Sequence, residues 1–500
     1  MERRTLEPIA YGLDHLPLAR LRDPVPELLR RLRERPGLIA LDSVGGAPRR
    51  WSLIGFDPFM DFAEAEAAPQ NLDELGALLD GCALKAHPSF DLSEEPFAGG
   101  FLGALSYELG VRGEALALPE PSWPQPPIVG GLYRDWIVVD HSAGVLRLMV
   151  SVDSSERGGV EGAAARAESL LDLLSQPSAA LMKHSGGGAM GAQAPGERTV
   201  SRHQHCERIE RAREFIAQGE IYQANVSHRM VAGAPRDPLT LYLRLRETNP
   251  APYMGFVRFL HEGRGHALLS SSPELLVELS AGPDGARVAR TRPIKGTVAR
   301  GADPASDAEN RAALLASEKD LAELAMIVDL ERNDLGRVAV PGGVTVGPFP
   351  ELETYAAVHH LVADVTARVA PDQSCIDVVA SLFPGGSITG APKLRSMEVI
   401  AELEEEGRGF FTGSMGFLDL RGHAALSILI RTMVHRSAPD DASVGDGVSA
   451  EVSFHVGGGI TWNSDPGRED DETLWKAAGL LRALSDQSPL EASQGAKSND

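Results

Sequence analysis

The chain has 500 residues, 43% of them hydrophobic, which is enough to bury a large core, and its formal net charge is −22. That charge argues against nucleic acid or an anionic membrane surface as a partner, since both demand an excess of Lys and Arg on one face. No apolar run approaches the ~18–20 residues that span a bilayer, and the opening MERRTLEPIAYGLDHL lacks the apolar centre of a secretory signal, so the sequence reads as cytoplasmic.

From residue 36 to about 152 the pattern is mainly β-type, with strands predicted at LIALDS (38–43), FLGALSYELG (101–110), WIVVDH (136–141) and LRLMVSVD (146–153). A helix is predicted over 160–176. The Gly/Ala-rich SGGGAMGAQAPGE (185–197) has no periodicity and reads as a linker or long surface loop. It divides the chain into an N-terminal region (1–180), a linker (181–200) and a larger portion (201–484), with a polar tail (485–500) expected to be disordered. The larger portion opens with a helix over 202–220, whose apolar stripe is Ile209, Ala212, Phe215 and Ile216 and which Gly219 stops. Strand-like runs then alternate with long helices, so periodicity alone gives a mixed α/β protein. Cys82, Cys206 and Cys375 are too far apart for a disulfide framework or a CxxC metal site, and none lies in a Gly-x-Cys-x-Gly elbow.

Several segments place polar residues or glycines where a plain core element would not. In EKDLAELAMIVDLERNDLGR (318–337), Asp320 and Glu323 are three apart and share a helical face, with Leu321, Leu324, Ile327 and Val328 facing elsewhere. In VGGGITWNSDPGREDDETLWK (456–476), Glu469, Glu472 and Lys476 recur at three and four, again on one face. Two such carboxylate pairs brought together would bind a hard cation through oxygen. The same spacings also fit a cap at Ser317-x-x-Asp320 and a solvated Glu472–Lys476 pair. Glu274, in SSPELL (271–276), follows a Ser-rich run and precedes an apolar one, which puts it at a strand end where an enclosed carboxyl could donate a proton. An ordinary edge-of-strand Glu would look alike. Arg431, in ILIRT (428–432), falls in an otherwise apolar strand and needs a carboxylate there, from a ligand or from the protein. FPGGSITGAPK (383–393) reads as a tight turn into a helix starting near Ala391-Pro392, with Thr389 as cap and an anion site or a purely structural turn as outcomes.

These segments, with IYQAN (221–225), RTRPIKGT (290–297) and VHHLV (358–362), resemble in order and content the chorismate-binding family of anthranilate, aminodeoxychorismate, isochorismate and salicylate synthases. The resemblance covers about residues 200 to 484. WSLIGFDP (51–58), GGFLGALSYELG (99–110) and NPAPYMGF (249–256) are more loosely similar to the family's companion region. It implies an α/β (α+β) fold in which large antiparallel sheets pack as a sandwich with outer helices, of the anthranilate synthase component I kind. It implies chorismate as substrate and Mg²⁺ as cofactor, held by Glu323 and Glu472 with Asp320 and Glu469 reaching through water. Lys295, Glu274 and His360 become the catalytic set, His360 in an orienting or electrostatic role. Gln223, Gly296, Thr297, Thr389, Arg431, Gly457, Gly459 and Lys476 become the substrate-binding set, with Arg431 and Lys476 on the ring carboxylate.

Two positions separate the family's reactions. The water-using members carry Lys where this chain has Gln223, and a neutral amide cannot activate water. Lys295, in Pro-Ile-Lys-Gly-Thr, stands where anthranilate synthases usually have Ala and aminodeoxychorismate synthases have Lys, which implies amination at C4 with the Lys as nucleophile. A charged Lys contacting a substrate carboxylate is the alternative. A separate glutaminase subunit is expected to supply ammonia. LIALDSVGG (38–46) is similar to the tryptophan-binding element of anthranilate synthases, with Asp42 where Glu is usual, so a bound tryptophan stays open.

Overall fold

The computed structural model describes residues 3–485 apart from 45–50, 64, 66–67, 86–90, 112–115, 157, 177–195, 283, 356–357 and 438–449. The linker-like segment therefore lies outside the described residues up to residue 195, and the tail does so from residue 486.

Among the described residues, thirteen strands form one sheet and nine form a second, with a three-stranded sheet beside them. Side chains of Ile39, Leu53, Trp136, Val257 and Leu268 from the larger sheet interlock with Leu102, Ala104, Val129, Met415 and Phe417 from the smaller, so the two pack face to face. The outer face of the larger sheet is covered by the helices Val25–Leu32, Gly159–Ser175, Pro238–Thr248 and Pro466–Leu484. The outer face of the smaller is covered by Leu72–Asp80, Glu318–Gly336 and Cys375–Leu382. This is the sandwich with outer helices that the motifs imply.

Both faces of a central strand are thus buried, which explains runs such as Trp136-Ile137-Val138-Val139. Ile137 and Val139 turn towards the helices while Trp136 and Val138 turn towards the opposite sheet. Full burial of one such side chain contributes about 1.5–3 kcal/mol, so no polar alternation survives in the sequence.

Both large sheets run through both sides of residue 200. In the larger, Ile39–Asp42 pairs with Tyr253–His261; in the smaller, Gly100–Leu105 pairs with Ser414–Asp419. The helix at the start of the larger portion runs Arg202–Ala217, opened by a reciprocal Ser201–Gln204 cap and followed by Gly219 at φ +78°. Its stripe is as read: Ile209, Ala212 and Phe215 are buried and Ile216 packs against them. Of FLGALSYELG, the first half is strand Gly100–Leu105 and the rest turns into a 3-10 helix, Tyr107–Val111.

Candidate active site

Two adjacent strands cross from one large sheet to the other side by side. Arg264–Ser272 belongs to the larger sheet and Leu275–Ala281 to the smaller, with Glu274 at the crossing. Ala424–Ile428 belongs to the smaller and Thr432–Ser437 to the larger, with Arg431 at that crossing. The two crossings are sewn together by Ser271 N donating to Arg431 O at 3.1 Å and Ile428 N donating to Glu274 O at 3.1 Å. Arg431 is therefore not inside a strand, as the apolar run suggested. It lies in the bend between two strands with φ +51°, a conformation unusual for a residue bearing a side chain.

Glu274 is buried, and burial drives its pKa up, while the Ser387 hydroxyl, the Lys295 charge, the Ile294 amide and Arg431 pull it down without reversing the shift. A carboxyl so placed keeps its proton to higher pH than an exposed one. Burial also lowers the pKa of Arg431, and Glu274 is the charge that offsets it.

Lys295 lies on the strand Ile294–Ala299, which pairs with Val358–Val362. Lys295 and Thr297 face consecutive partners, Leu361 and His360, so Gly296 is the extra residue of a bulge, at φ +76°. A Cβ on Gly296 would meet Asp320 at 3.0 Å, so the bulge packs directly on the first turn of the acidic helix. The Lys295 ammonium donates to Ser387 O at 3.4 Å and lies 3.5 Å from where a Cβ on Gly459 would stand. Its charge acts on Glu274, Glu323 and Glu472 alike, which makes it the meeting point of the acid and the two acidic helices.

Gln223 begins the strand Gln223–Ala234 and is fully buried, yet neither its amide nitrogen nor its oxygen has a partner. The neighbouring strand Ala450–Ile460 brings Gly457 and Gly459 alongside. His359 and His360 differ in their surroundings. His359 is held on both ring nitrogens, by Thr354 at 2.9 Å and Asp307 at 3.0 Å. His360 is hydrogen-bonded through Nδ1 with Thr297 at 2.7 Å, and burial together with Arg431 lowers its pKa to about 4, so it is neutral near pH 7.

The two acidic helices do converge. Glu318–Gly336 carries Asp320 and Glu323, and Pro466–Leu484 carries Glu469, Glu472 and Lys476. Ser317 accepts from Asp320 N at 3.3 Å, so the capping arrangement is present as well. Glu323 Oε1 is buried with no hydrogen-bond partner. Burial, Asp320 and Glu469 raise the Glu323 pKa against the pull of Lys295 and Lys319. Burial would also raise Glu472, but Lys476, Lys319 and Lys295 outweigh it and lower its pKa. Lys476 donates to Gly457 O at 2.8 Å and pairs with Glu472 at 2.9 Å, so the i,i+4 pair forms as a partly solvated one and is also anchored on the glycine strand. All-oxygen donors with an unpartnered buried carboxylate atom among them suit a hard cation.

Among the described residues, the one group of three His, Cys, Asp or Glu whose ligand atoms lie within 4.8 Å of each other is elsewhere: His205, His228 and Asp470. Asp470 already holds Arg198 through both oxygens and His205 at 2.8 Å, a cation-rich network that ties the Pro466–Leu484 helix to Arg202–Ala217.

Thr389 does not cap the following helix. Its hydroxyl donates back to Gly385 O at 2.8 Å within the turn Gly386–Thr389, and the helix Lys393–Glu404 begins after Pro392 without a side-chain cap. Asp42 is buried and taken up by Ser52 at 2.6 Å, the Ser43 amide at 2.8 Å and Arg246 at 2.5 Å; residues 45 and 46 of its element are outside the described ones. Three residues the sequence reading passed over belong to the site: Ser387 beside Glu274 and Lys295, Lys319 between the acidic helices, and Glu331, a buried carboxyl under the field of Glu274. Lys319, four residues before Glu323, was the one with a spacing signal.

An enclosed carboxyl, a lysine amine, an unpartnered buried amide and two carboxylate-bearing helices thus lie together on a sheet sandwich. The chain belongs to the chorismate-binding enzyme family, whose model matches residues 40–482. It is 36% identical over 452 residues to anthranilate synthase component 1 of Streptomyces coelicolor, covering 88% of this chain and 82% of that one. It is also 36% identical over 406 residues to aminodeoxychorismate synthase component 1 of Salmonella typhimurium, covering 80% of each. Anthranilate synthase component I from Streptococcus pneumoniae superposes with a TM-score of 0.70 at 28% identity, over 87% of this chain and 93% of that one. The menaquinone-specific isochorismate synthase of Escherichia coli shares the fold, with a TM-score of 0.68 at 19% identity over 96% and 95%. No helix among the described residues is long and apolar enough to cross a membrane.

Proposed function

We propose that this protein is the chorismate-aminating component of an aminodeoxychorismate synthase, converting chorismate and ammonia to 4-amino-4-deoxychorismate and water. The observation that carries this reading is Lys295, whose charge reaches Glu274, Glu323 and Glu472 at once. In the reaction the neutral Lys295 amine bonds to C2 of chorismate while the ring double bond shifts and the C4 hydroxyl departs. Glu274 gives its proton to that oxygen, which leaves as water. Ammonia then attacks C4, the double bond shifts back, the C2–N bond to Lys295 breaks to restore the free amine, and the new C4 ammonium returns a proton to Glu274. The Gln223 amide and Arg431 orient the ring and its carboxylate, and neutral His360 supports the departing side of the ring. Mg²⁺, held by Glu323 and Glu472 with Asp320 and Glu469 through water, would neutralise the substrate carboxylate. Ammonia is supplied by a separate glutaminase subunit, in keeping with a sequence that has no cysteine elbow of its own.

A second reading, anthranilate synthase component I, is favoured by relatives of equal identity that carry that name. Incubation with chorismate, Mg²⁺ and an ammonium salt separates the two. A non-fluorescent product that a lyase turns into 4-aminobenzoate supports C4 amination, and fluorescent anthranilate supports the second reading. Lys295→Ala should reduce C4 amination by roughly 10²-fold or more, with some anthranilate appearing. Undiminished C4 amination by that variant would remove the covalent role.

A further inference from the structure

Lys319, on the helix Glu318–Gly336, faces carboxylates of both acidic helices. Its ammonium lies 3.8 Å from Glu323 Oε1, one turn along its own helix, and 3.6 Å from Glu469 Oε1 on the facing helix. Both carboxylates are largely enclosed, with side chains 15% and 8% exposed, whereas the Lys319 side chain is 54% exposed. Neither contact is short enough to be a hydrogen bond, and Glu323 Oε1 has no other partner. The other amines nearby are committed: Lys476 to Gly457 O and Glu472, and Lys295 to Ser387 O.

We propose that Lys319 is the resident counter-ion of the carboxylate cluster, which holds the two acidic helices together in the metal-free protein and must swing aside when a divalent ion binds. The proposal rests on the reading that this cluster takes such an ion. A Mg²⁺-sized ion sits ~2.0–2.1 Å from its oxygens, and an ammonium 3.8 Å from Glu323 Oε1 and 3.6 Å from Glu469 Oε1 would repel an ion held by Glu323 and occupy the place of the water that links it to Glu469. A long, half-exposed lysine stem can lift its head into water with little loss of packing. Lys319 is thus a positioning residue that sets how tightly the metal binds.

The test is Mn²⁺ binding to the full chain without chorismate, followed by electron paramagnetic resonance and by calorimetry. Lys319→Gln should bind Mn²⁺ about fivefold more tightly than the wild type, the factor that ~1 kcal/mol of a half-exposed charge interaction gives. Lys319→Arg should stay near the wild-type affinity. In the metal-free state Lys319→Gln should melt below the wild type, and saturating Mn²⁺ should erase that difference. Equal or weaker Mn²⁺ binding by Lys319→Gln overturns the proposal. So does absence of Mn²⁺ binding in both proteins, a result that would also remove the metal from the site while leaving the identity of the amination product to be read separately.

Discussion

The Gln223 amide is pressed against the bare α-carbon of Gly459: a Cβ there would stand 2.6 Å from Nε2 and 3.1 Å from Cδ. The protein thus keeps a glycine so that a fully buried amide can sit beside the Lys295 amine, and then leaves that amide without a partner. A buried polar group left unsatisfied costs about 1–3 kcal/mol, a cost that a bound substrate's oxygens would remove. Gln223→Leu should accordingly melt at or above the wild-type temperature in the free protein while KM for chorismate rises roughly tenfold. A destabilised variant with unchanged KM would make Gln223 a structural residue only.

In the proposed reaction Glu274 acts in its protonated form, and burial raises its pKa. Activity that depends on this proton is present below that pKa and falls as pH rises through it. At fixed free ammonia, kcat should therefore show an alkaline limb. Glu274→Gln should lower kcat by about 10²–10⁴-fold and abolish that limb. A variant whose residual activity keeps the same alkaline limb would assign the acid to another group.

His228 tests the linkage between burial and acid stability away from the site. Its ring packs at 4.8 Å on His205 and faces Thr473, with Arg198 and Asp470 nearby, and burial, His205 and Arg198 lower its pKa to about 3. The unfolded chain takes a proton near the ordinary histidine value of ~6.5, whereas the folded one does not until about pH 3. This contribution to stability is complete above the unfolded value and is lost as pH falls towards the folded one. Denaturant unfolding between pH 6 and 4 should show the wild type losing about 1.4 kcal/mol per pH unit more than His228→Gln. A constant difference across that range would show that the folded state protonates His228 as readily as the unfolded chain does.

Local signals in the sequence were dependable where neighbours along the chain decide the outcome. The Arg202–Ala217 helix carries its own cap and stop, and the three- and four-residue spacing of the acidic helices puts Glu323 and Glu472 on faces that do converge. Local reading failed where the third dimension decides. The apolar run Ile428-Leu429-Ile430 is continuous across a crossing between two sheets, so Arg431 looked like part of a strand. Thr389 had cap chemistry in the right place but found a carbonyl within its own turn. Lys319 sits four residues from Glu323, a spacing shared with countless solvated pairs, and only the facing helix reveals its second partner. The sharing of both large sheets by the two sequence portions left no local mark, because strand pairing across 200 residues is written in no single stretch.

The strand Ala450–Ile460 lies between Gln223–Ala234 and Thr432–Ser437 in the larger sheet, and the helix that follows it carries Glu469, Glu472 and Lys476. A ribosome delivers that keystone after both of its neighbours. Until it emerges, the strands destined to flank it expose unpaired edges, which are templates for association with other nascent chains. Pairing of those two edges and the arrival of the carboxylate-bearing helix are therefore one event, because the strand and the helix are consecutive in the chain.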